Sequence, residues 1–178
     1  ITKINIPIDA NNFHEPKKID SKKIKIFHAW QAGKEAKKGN DILHIAMQYV
    51  LRERGDSLEY EIATGLSFAD FTAKFLNCDI FLDQIYSYDT GVSGALGLCA
   101  GKVVYSGFEN APAEKEYSAG NSIKRYGVNA TDDVGALVNS LLFLLNNENI
   151  MRRISREAYR HALSTYDGKI VAMAYLKF

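Results

Sequence analysis

An α/β fold, one domain with a parallel sheet and helices on both faces, follows from three observations. Short apolar runs such as Lys23 to Trp30 (KIKIFHAW) and Asp79 to Leu82 have the length and composition of buried strands. Between them lie segments with helical spacing, about 10 to 15 residues each, which is the crossover that joins parallel neighbours in a βαβ unit. Thirdly, Asn77 to Gly107 (NCDIFLDQIYSYDTGVSGALGLCAGKVVYSG) reads as strand, loop, helix, tight turn, strand. A polar loop at the carboxyl end of a parallel strand, followed by a helix amino terminus, is where open α/β sheets take ligands.

The elements follow in order. Lys23 to Trp30 reads as the first strand, and Asn40 to Arg54 as a helix. In that helix Ile42, Ile45, Ala46, Tyr49 and Val50 fall at helical spacing, and Gly55 sits where a helix stops. Leu58 to Ala63 alternates as a strand, and Ser67 can cap a helix through Leu76. Strand Asp79 to Leu82, helix Gly91 to Ala100 and strand Lys102 to Tyr105 come next. A loop spans Glu109 to Ser122, and Lys124 to Val128 suits a further strand. Thr131 is a candidate cap for a helix carrying Val134, Leu137, Val138, Leu141, Leu142 and Leu145. Helices over Glu148 to about Thr165 and from Lys169 onward complete the pattern.

Composition narrows the classes. With 178 residues and 47% hydrophobic content, the chain can bury one good core. Its 22 basic and 21 acidic residues nearly cancel, so no global field favours nucleic acid or an anionic membrane. Lys17, Lys18, Lys22, Lys23 and Lys25 form a local basic cluster that reads as a solvated loop and strand edge. Cys78 and Cys99 lie in apolar contexts without metal-ligand spacing, which suits buried free thiols in a cytosolic protein. No apolar run approaches the ~20 residues that span a bilayer. The chain does not begin with Met and shows no signal-peptide pattern, so it reads as a piece of a longer protein whose remainder would hold half the active site.

Several short motifs, in this order and spacing, resemble the carboxyl-terminal domain of GT-B-fold glycosyltransferases of family 4 (glycosyltransferase group 1). Ile6-Pro7-Ile8-Asp9 with Phe13 resembles the opening segment of that domain. Ile26-Phe27-His28-Ala29 resembles its first strand, and Lys38-Gly39-Asn40-Asp41-Ile42 the start of its first long helix. Cys78-Asp79-Ile80 with Asp83-Gln84 resembles the "aDI..DQ" strand. Gly91 and Leu98-Cys99-Ala100-Gly101-Lys102-Val103-Val104 resemble the "G....EamA.GkPV" element, and Tyr166-Asp167 the terminal "yd". The resemblance covers nearly all of residues 1–178. It implies a Rossmann-like fold, the carboxyl-terminal half of a GT-B enzyme, that binds a nucleotide-diphosphate sugar. An amino-terminal acceptor domain of the same protein would lie outside this chain. The activity implied is hexosyl transfer to a glycan or lipid-linked acceptor in bacterial polysaccharide biosynthesis, metal-independent, without cofactor, and retaining. The implied location is cytoplasmic, at the inner face of the membrane through peripheral association.

The resemblance also suggests site residues. A leaving diphosphate needs positive charge, which a Lys and helix amino-terminal N–H groups supply. Lys38 with Gly39 is the diphosphate candidate, and Lys34 a second basic residue earlier in the loop. Lys34 and Lys37 also fit a solvated loop. Gly91 and the N–H groups of Val92 and Ser93 are candidates for contacts with the donor sugar or phosphate, although ordinary turn chemistry would use the same glycine. Gly65 and Leu66 sit where the family contacts the base, with Asp83 and Leu96 also near the nucleotide. No catalytic residue and no metal ligand is singled out.

The sequence departs from the family at two acids. The family's paired glutamates fall on Tyr88 and Leu96, and a leucine cannot accept hydrogen bonds from ribose hydroxyls. Three readings therefore stand: a donor-binding glycosyltransferase half, inactive alone; a degenerate, non-catalytic binding or scaffold domain; and an unrelated doubly wound module. His28 reads more readily as a satisfied core histidine than as a group facing the cleft. His14, His44 and His161 show no partner pattern, and Trp30 and Tyr88 read as core packing or loop anchors before rings that stack on a base or sugar. Exposed apolar residues are expected near Ile4, Ile6 and Ala172 to Phe178, where the absent domain would pack.

Overall fold

Six strands form a single sheet in the order β2-β1-β3-β4-β6-β5. The structure is a computed structural model, and it describes residues 5–9, 12–16, 19, 23–30, 33–112 and 122–176. Ile4, Lys17, Lys18, Lys22, most of the 109–122 loop and the last two residues lie outside the described residues. The strands are β1 (Ile24–Ala29), β2 (Leu58–Ala63), β3 (Ile80–Leu82), β4 (Val103–Ser106), β5 (Ile123–Lys124) and β6 (Gly127–Asn129). The helices are α1 (Glu35–Lys38), α2 (Asn40–Arg54), α3 (Phe68–Asn77), α4 (Gly91–Cys99), α5 (Val134–Asn146), α6 (Glu148–Tyr166) and α7 (Gly168–Tyr175). All strand pairs are parallel except β5 with β6. The expected α/β sheet with helices on both faces is therefore the observed architecture.

Alternation along the central strands feeds two cores. Ile24 and Ile26, Ile80 and Leu82, Val103 and Tyr105 point to one side and pack with Leu43, Ala46, Met47 and Val50 of α2 and with Leu137, Leu141 and Leu144 of α5. Phe27, Phe81 and Val104 point to the other, against Phe75 of α3, Ala95 and Leu98 of α4, and Ala158 and Ala162 of α6. Strands buried on both faces need apolar residues at every position, which is why Ile26-Phe27, IFL and VVY read as continuous runs. Gly97 lets α4 approach the sheet closely: a Cβ there would stand 2.7 Å from Val104 Cγ2 and 3.2 Å from Phe81 Cδ1.

Three local expectations give way to the structure. In α2, Ile45 and Tyr49 are exposed, and the buried face runs through Leu43, Ala46, Met47 and Val50. The face is set by α5, which packs against α2 from a distant part of the sequence. Lys124 to Val128 is not one strand: Arg125 and Tyr126 turn the chain back, making an antiparallel pair of β5 and β6. The cap of α5 is Asp133, whose carboxylate accepts from Ala136 N–H at 3.0 Å, rather than Thr131. Ser67 caps α3 as expected, its hydroxyl oxygen accepting from Asp70 N–H at 3.1 Å. Cys78 and Cys99 are buried free thiols.

The segment before β1 is tied to the end of α6. Ile8 N–H donates to the Tyr166 carbonyl at 2.7 Å, Gly168 N–H donates to the Ile8 carbonyl at 3.1 Å, and Ile8 bridges Asp167 in parallel.

Candidate functional site

Among the parallel strands β1 to β4, the sheet order reverses direction once. From β1 the chain moves outward to β2, then returns to the other side of β1 to form β3. The crevice beyond the carboxyl ends of β1 and β3 is the topological switch point, where the connections diverge and leave room for a ligand.

Two loops meet there. The loop after β1 leads through α1 to Lys38, Gly39 and the start of α2; the loop after β3 begins with Asp83-Gln84-Ile85. Lys38 Nζ lies 3.2 Å from Asp83 Oδ1. Ile85 N–H donates to the Lys38 carbonyl at 2.8 Å, and Asp83 N–H to the Tyr105 carbonyl at 3.0 Å. Gly39 adopts φ +67, and a Cβ on it would meet Ile85 at 2.9 Å. Glycine is required on both counts, conformation and clearance.

Asp83 is the centre of the cluster. Its side chain is 1% exposed and that of Lys38 17%. Its second oxygen, Oδ2, accepts from Ser106 Oγ of β4 at 3.1 Å. Burial pushes the Asp83 carboxyl above the usual carboxylate range, while the Lys38 ammonium and the hydrogen bonds from Lys38 and Ser106 pull it back. A buried carboxylate is sustained by such a partner, and losing the partner leaves an uncompensated charge.

The start of α4 closes the other side. Gly91 has φ +58, and a Cβ there would come within 3.6 Å of Gln84 Nε2. A Cβ on Gly94, one turn on, would lie 3.3 Å from Asp83 Oδ2 and 3.5 Å from Ser106 Oγ. The residues suggested by sequence for diphosphate and for sugar thus flank the single dipeptide Asp83-Gln84. Val92 is exposed and Ser93 half-buried in the first turn of α4. Thr90, just before Gly91, is buried, with Oγ1 3.3 Å from the Tyr166 hydroxyl.

Other candidates fall elsewhere. Lys34, just before α1, and Lys37, on it, are exposed. Gly65 and Leu66 are exposed beyond β2, on the far side of β1 from β3. Leu96 is half-buried and packs against the core that contains Phe27 and Phe81. Tyr88, expected as an anchor or core residue, is 82% exposed. Among the described residues, no group of three or more His, Cys, Asp and Glu side chains is arranged to hold a metal ion. No helix among them is long and apolar enough to cross a membrane.

Beside the crevice His28 is a satisfied core histidine, as expected, in a polar chain whose other members sequence reasoning did not connect. His28 is fully buried; its Nε2 lies 3.2 Å from Asn40 Oδ1 and its Nδ1 2.8 Å from the Tyr60 hydroxyl. His44 Nδ1 lies 3.2 Å from the same hydroxyl, so His44 has a partner after all. With Nε2–H donating to Asn40, His28 Nδ1 accepts from Tyr60, whose oxygen accepts from His44 Nδ1–H. Burial lowers the His28 pKa from 6.5 to about 4, and the charges of His44 and Lys38 act in the same direction. Asn40 Nδ2 is buried without a partner. The visible signal was a polar residue ending an apolar strand, shared by His28 and Asp83. His161 also has company: its ring stacks on Tyr126 at 3.7 Å.

No family model matches the sequence, and no curated protein matches it by sequence. Solved structures do share its fold. Against a mutant of TarM from S. aureus, in complex with fondaparinux, α-GlcNAc-glycerol and UDP, the TM-score is 0.65 at 12% identity over 99% of this chain and 38% of that one. HepE of Anabaena in complex with UDP-glucose gives 0.63 at 15% identity, over 98% of this chain and 57% of that one. A glycosyltransferase from Rickettsia africae gives 0.65 at 12% identity, over 98% and 55%. The chain thus spans between 38% and 57% of these three proteins. What these similarities establish is the α/β fold.

Proposed function

We propose that residues 1–178 form the nucleotide-sugar-binding, carboxyl-terminal domain of a glycosyltransferase, completed by an acceptor domain outside this chain. The observation that carries the reading is the meeting of Lys38, Asp83-Gln84 and the start of α4 at the switch-point crevice. Its fold is shared with a glycosyltransferase and with chains solved with UDP or UDP-glucose. In this reading Lys38 and the first N–H groups of α4 receive the diphosphate, and transfer proceeds by positioning and by stabilising the leaving group. The reaction is metal-independent hexosyl transfer with retention, in polysaccharide assembly at the cytoplasmic face of a membrane. The chain alone has half a cleft and is inactive.

One observation favours a second reading, a non-catalytic binding or scaffold domain. Leu96 packs into the core and Tyr88 stands in solvent, so neither position offers a carboxylate to the ribose or sugar. Calorimetric titration with UDP and GDP, each against its nucleoside, separates the two. The donor-binding reading expects the diphosphates to bind well above uridine and guanosine, and Lys38→Met to remove most of that difference. Equal affinity for nucleoside and diphosphate refutes the diphosphate site. No nucleotide binding at all leaves the scaffold reading.

A further inference from the structure

Lys38 is not a free cation awaiting an anion. Its ammonium is already held at 3.2 Å by a carboxylate that is itself almost fully buried. We propose that Asp83 competes with an anionic ligand for Lys38, and takes up a proton from solvent when the ligand wins. The inference rests on the nucleotide-sugar reading and adds to it a proton-linked control of the same site.

The surroundings of Asp83 carry the argument. From α1 comes Lys38, from β4 the Ser106 hydroxyl, and from α4 Gly94 with Thr90 beside it, the latter held by Tyr166. On the neighbouring β1, His28 is engaged with Tyr60 and Asn40. Lys38 is the one cation hydrogen-bonded to Asp83 among the described residues. Three influences oppose the upward push of burial on the Asp83 carboxyl: the Lys38 charge, the Lys38 hydrogen bond and the Ser106 hydrogen bond. A diphosphate that takes the ammonium removes two of the three. It also brings negative charge close to the carboxylate, so burial and like-charge repulsion then act together. The carboxyl accepts one solvent proton, becoming neutral and able to donate a hydrogen bond to a phosphate oxygen. His28 does not supply that proton between pH 6.5 and 8, because its burial holds it neutral there.

The consequence is measurable. UDP-glucose, whose diphosphate diester has no group titrating near neutrality, is titrated into wild type and Asp83→Asn at pH 6.5 and 8. Each titration is run in two buffers of different ionisation enthalpy. Wild type should take up close to one proton per ligand at pH 8, and bind more weakly there than at pH 6.5, by up to about tenfold per pH unit. Asp83→Asn should take up none, lose that pH dependence, and bind at least about tenfold more tightly than wild type at pH 8. If Asp83→Asn fails to fold, Ser106→Ala should move the fall in affinity to higher pH. Equal or weaker binding by Asp83→Asn, with no proton uptake by wild type, overturns the inference: Lys38 would then serve both anions at once. An unmoved profile in Ser106→Ala overturns it as well. No UDP-glucose binding by wild type or variant, at either pH, refutes instead the nucleotide-sugar reading on which the inference stands.

Discussion

Acidification should weaken the domain through His28. The imidazole is buried and neutral, and its pKa falls from 6.5 to about 4. The unfolded chain therefore binds this proton more readily than the folded one. Stability from this group is complete above pH 6.5, declines as pH drops, and is exhausted once the folded pKa is passed. The gap between 6.5 and about 4, at about 1.4 kcal/mol for each pH unit crossed, amounts to roughly 3 kcal/mol. That is a large fraction of the ~5–15 kcal/mol that holds a typical domain together. Urea unfolding at half-unit steps from pH 7.5 to 4 measures it, with His28→Gln as the non-titrating reference. Gln offers a donor and an acceptor toward Asn40 and Tyr60, so its cost is paid equally at every pH. The wild-type unfolding free energy should fall relative to the variant by roughly 3 kcal/mol across the series. Parallel pH profiles for the two proteins would show that His28 charges in the folded state as freely as in the unfolded one, and would refute the reasoning.

Two further outcomes concern the loops. Gly39→Ala should destabilise by about 2–3 kcal/mol, from left-handed strain and from crowding against Ile85. Adding Ile85→Ala should relieve only the crowding: the double variant should lose less than the sum of the two singles, and strict additivity in urea unfolding would contradict this. For α5, Asp133→Ala should cost about 1 kcal/mol by removing the cap. Thr131→Ala should be close to neutral, since its buried hydroxyl oxygen has no hydrogen-bond partner; thermal melts that rank the two variants the other way would reverse the cap assignment.

The central strands and most helix limits were legible because both properties are local. Ile26-Phe27, Ile80-Phe81-Leu82 and Val103-Val104 are apolar at consecutive positions, which only a sheet covered on both faces demands. What failed depended on partners distant in sequence. Of the periodic set Ile42, Ile45, Ala46, Tyr49 and Val50, Ala46 and Val50 turn inward with Leu43 and Met47. Ile42 packs at the margin of the core, and Ile45 and Tyr49 stay exposed; α5, distant in sequence, packs on the inward face. The turn at Arg125-Tyr126 lies inside a run that reads as extended, and the close fit of Gly127 beneath Phe108 appears only in three dimensions. For the site, the polar residue closing an apolar strand lies at the switch-point crevice, beside Lys38. That Asp83 would grip Lys38 could not be read, because 45 residues separate them and only the β1–β3 neighbourhood joins them. The same holds for His28, Tyr60 and His44, which lie on three different elements.

The clasp at Ile8 has a mechanical consequence. Ile8 and Asp167 run in the same direction, so tension between the chain before Ile8 and the chain after Gly168 pulls the two segments past each other lengthwise. The hydrogen bonds from Ile8 to Tyr166 and from Gly168 to Ile8 then share the strain simultaneously, where a zipper would surrender them singly. Tension along these two segments would therefore be met first at this buckle, ahead of the six-stranded sheet.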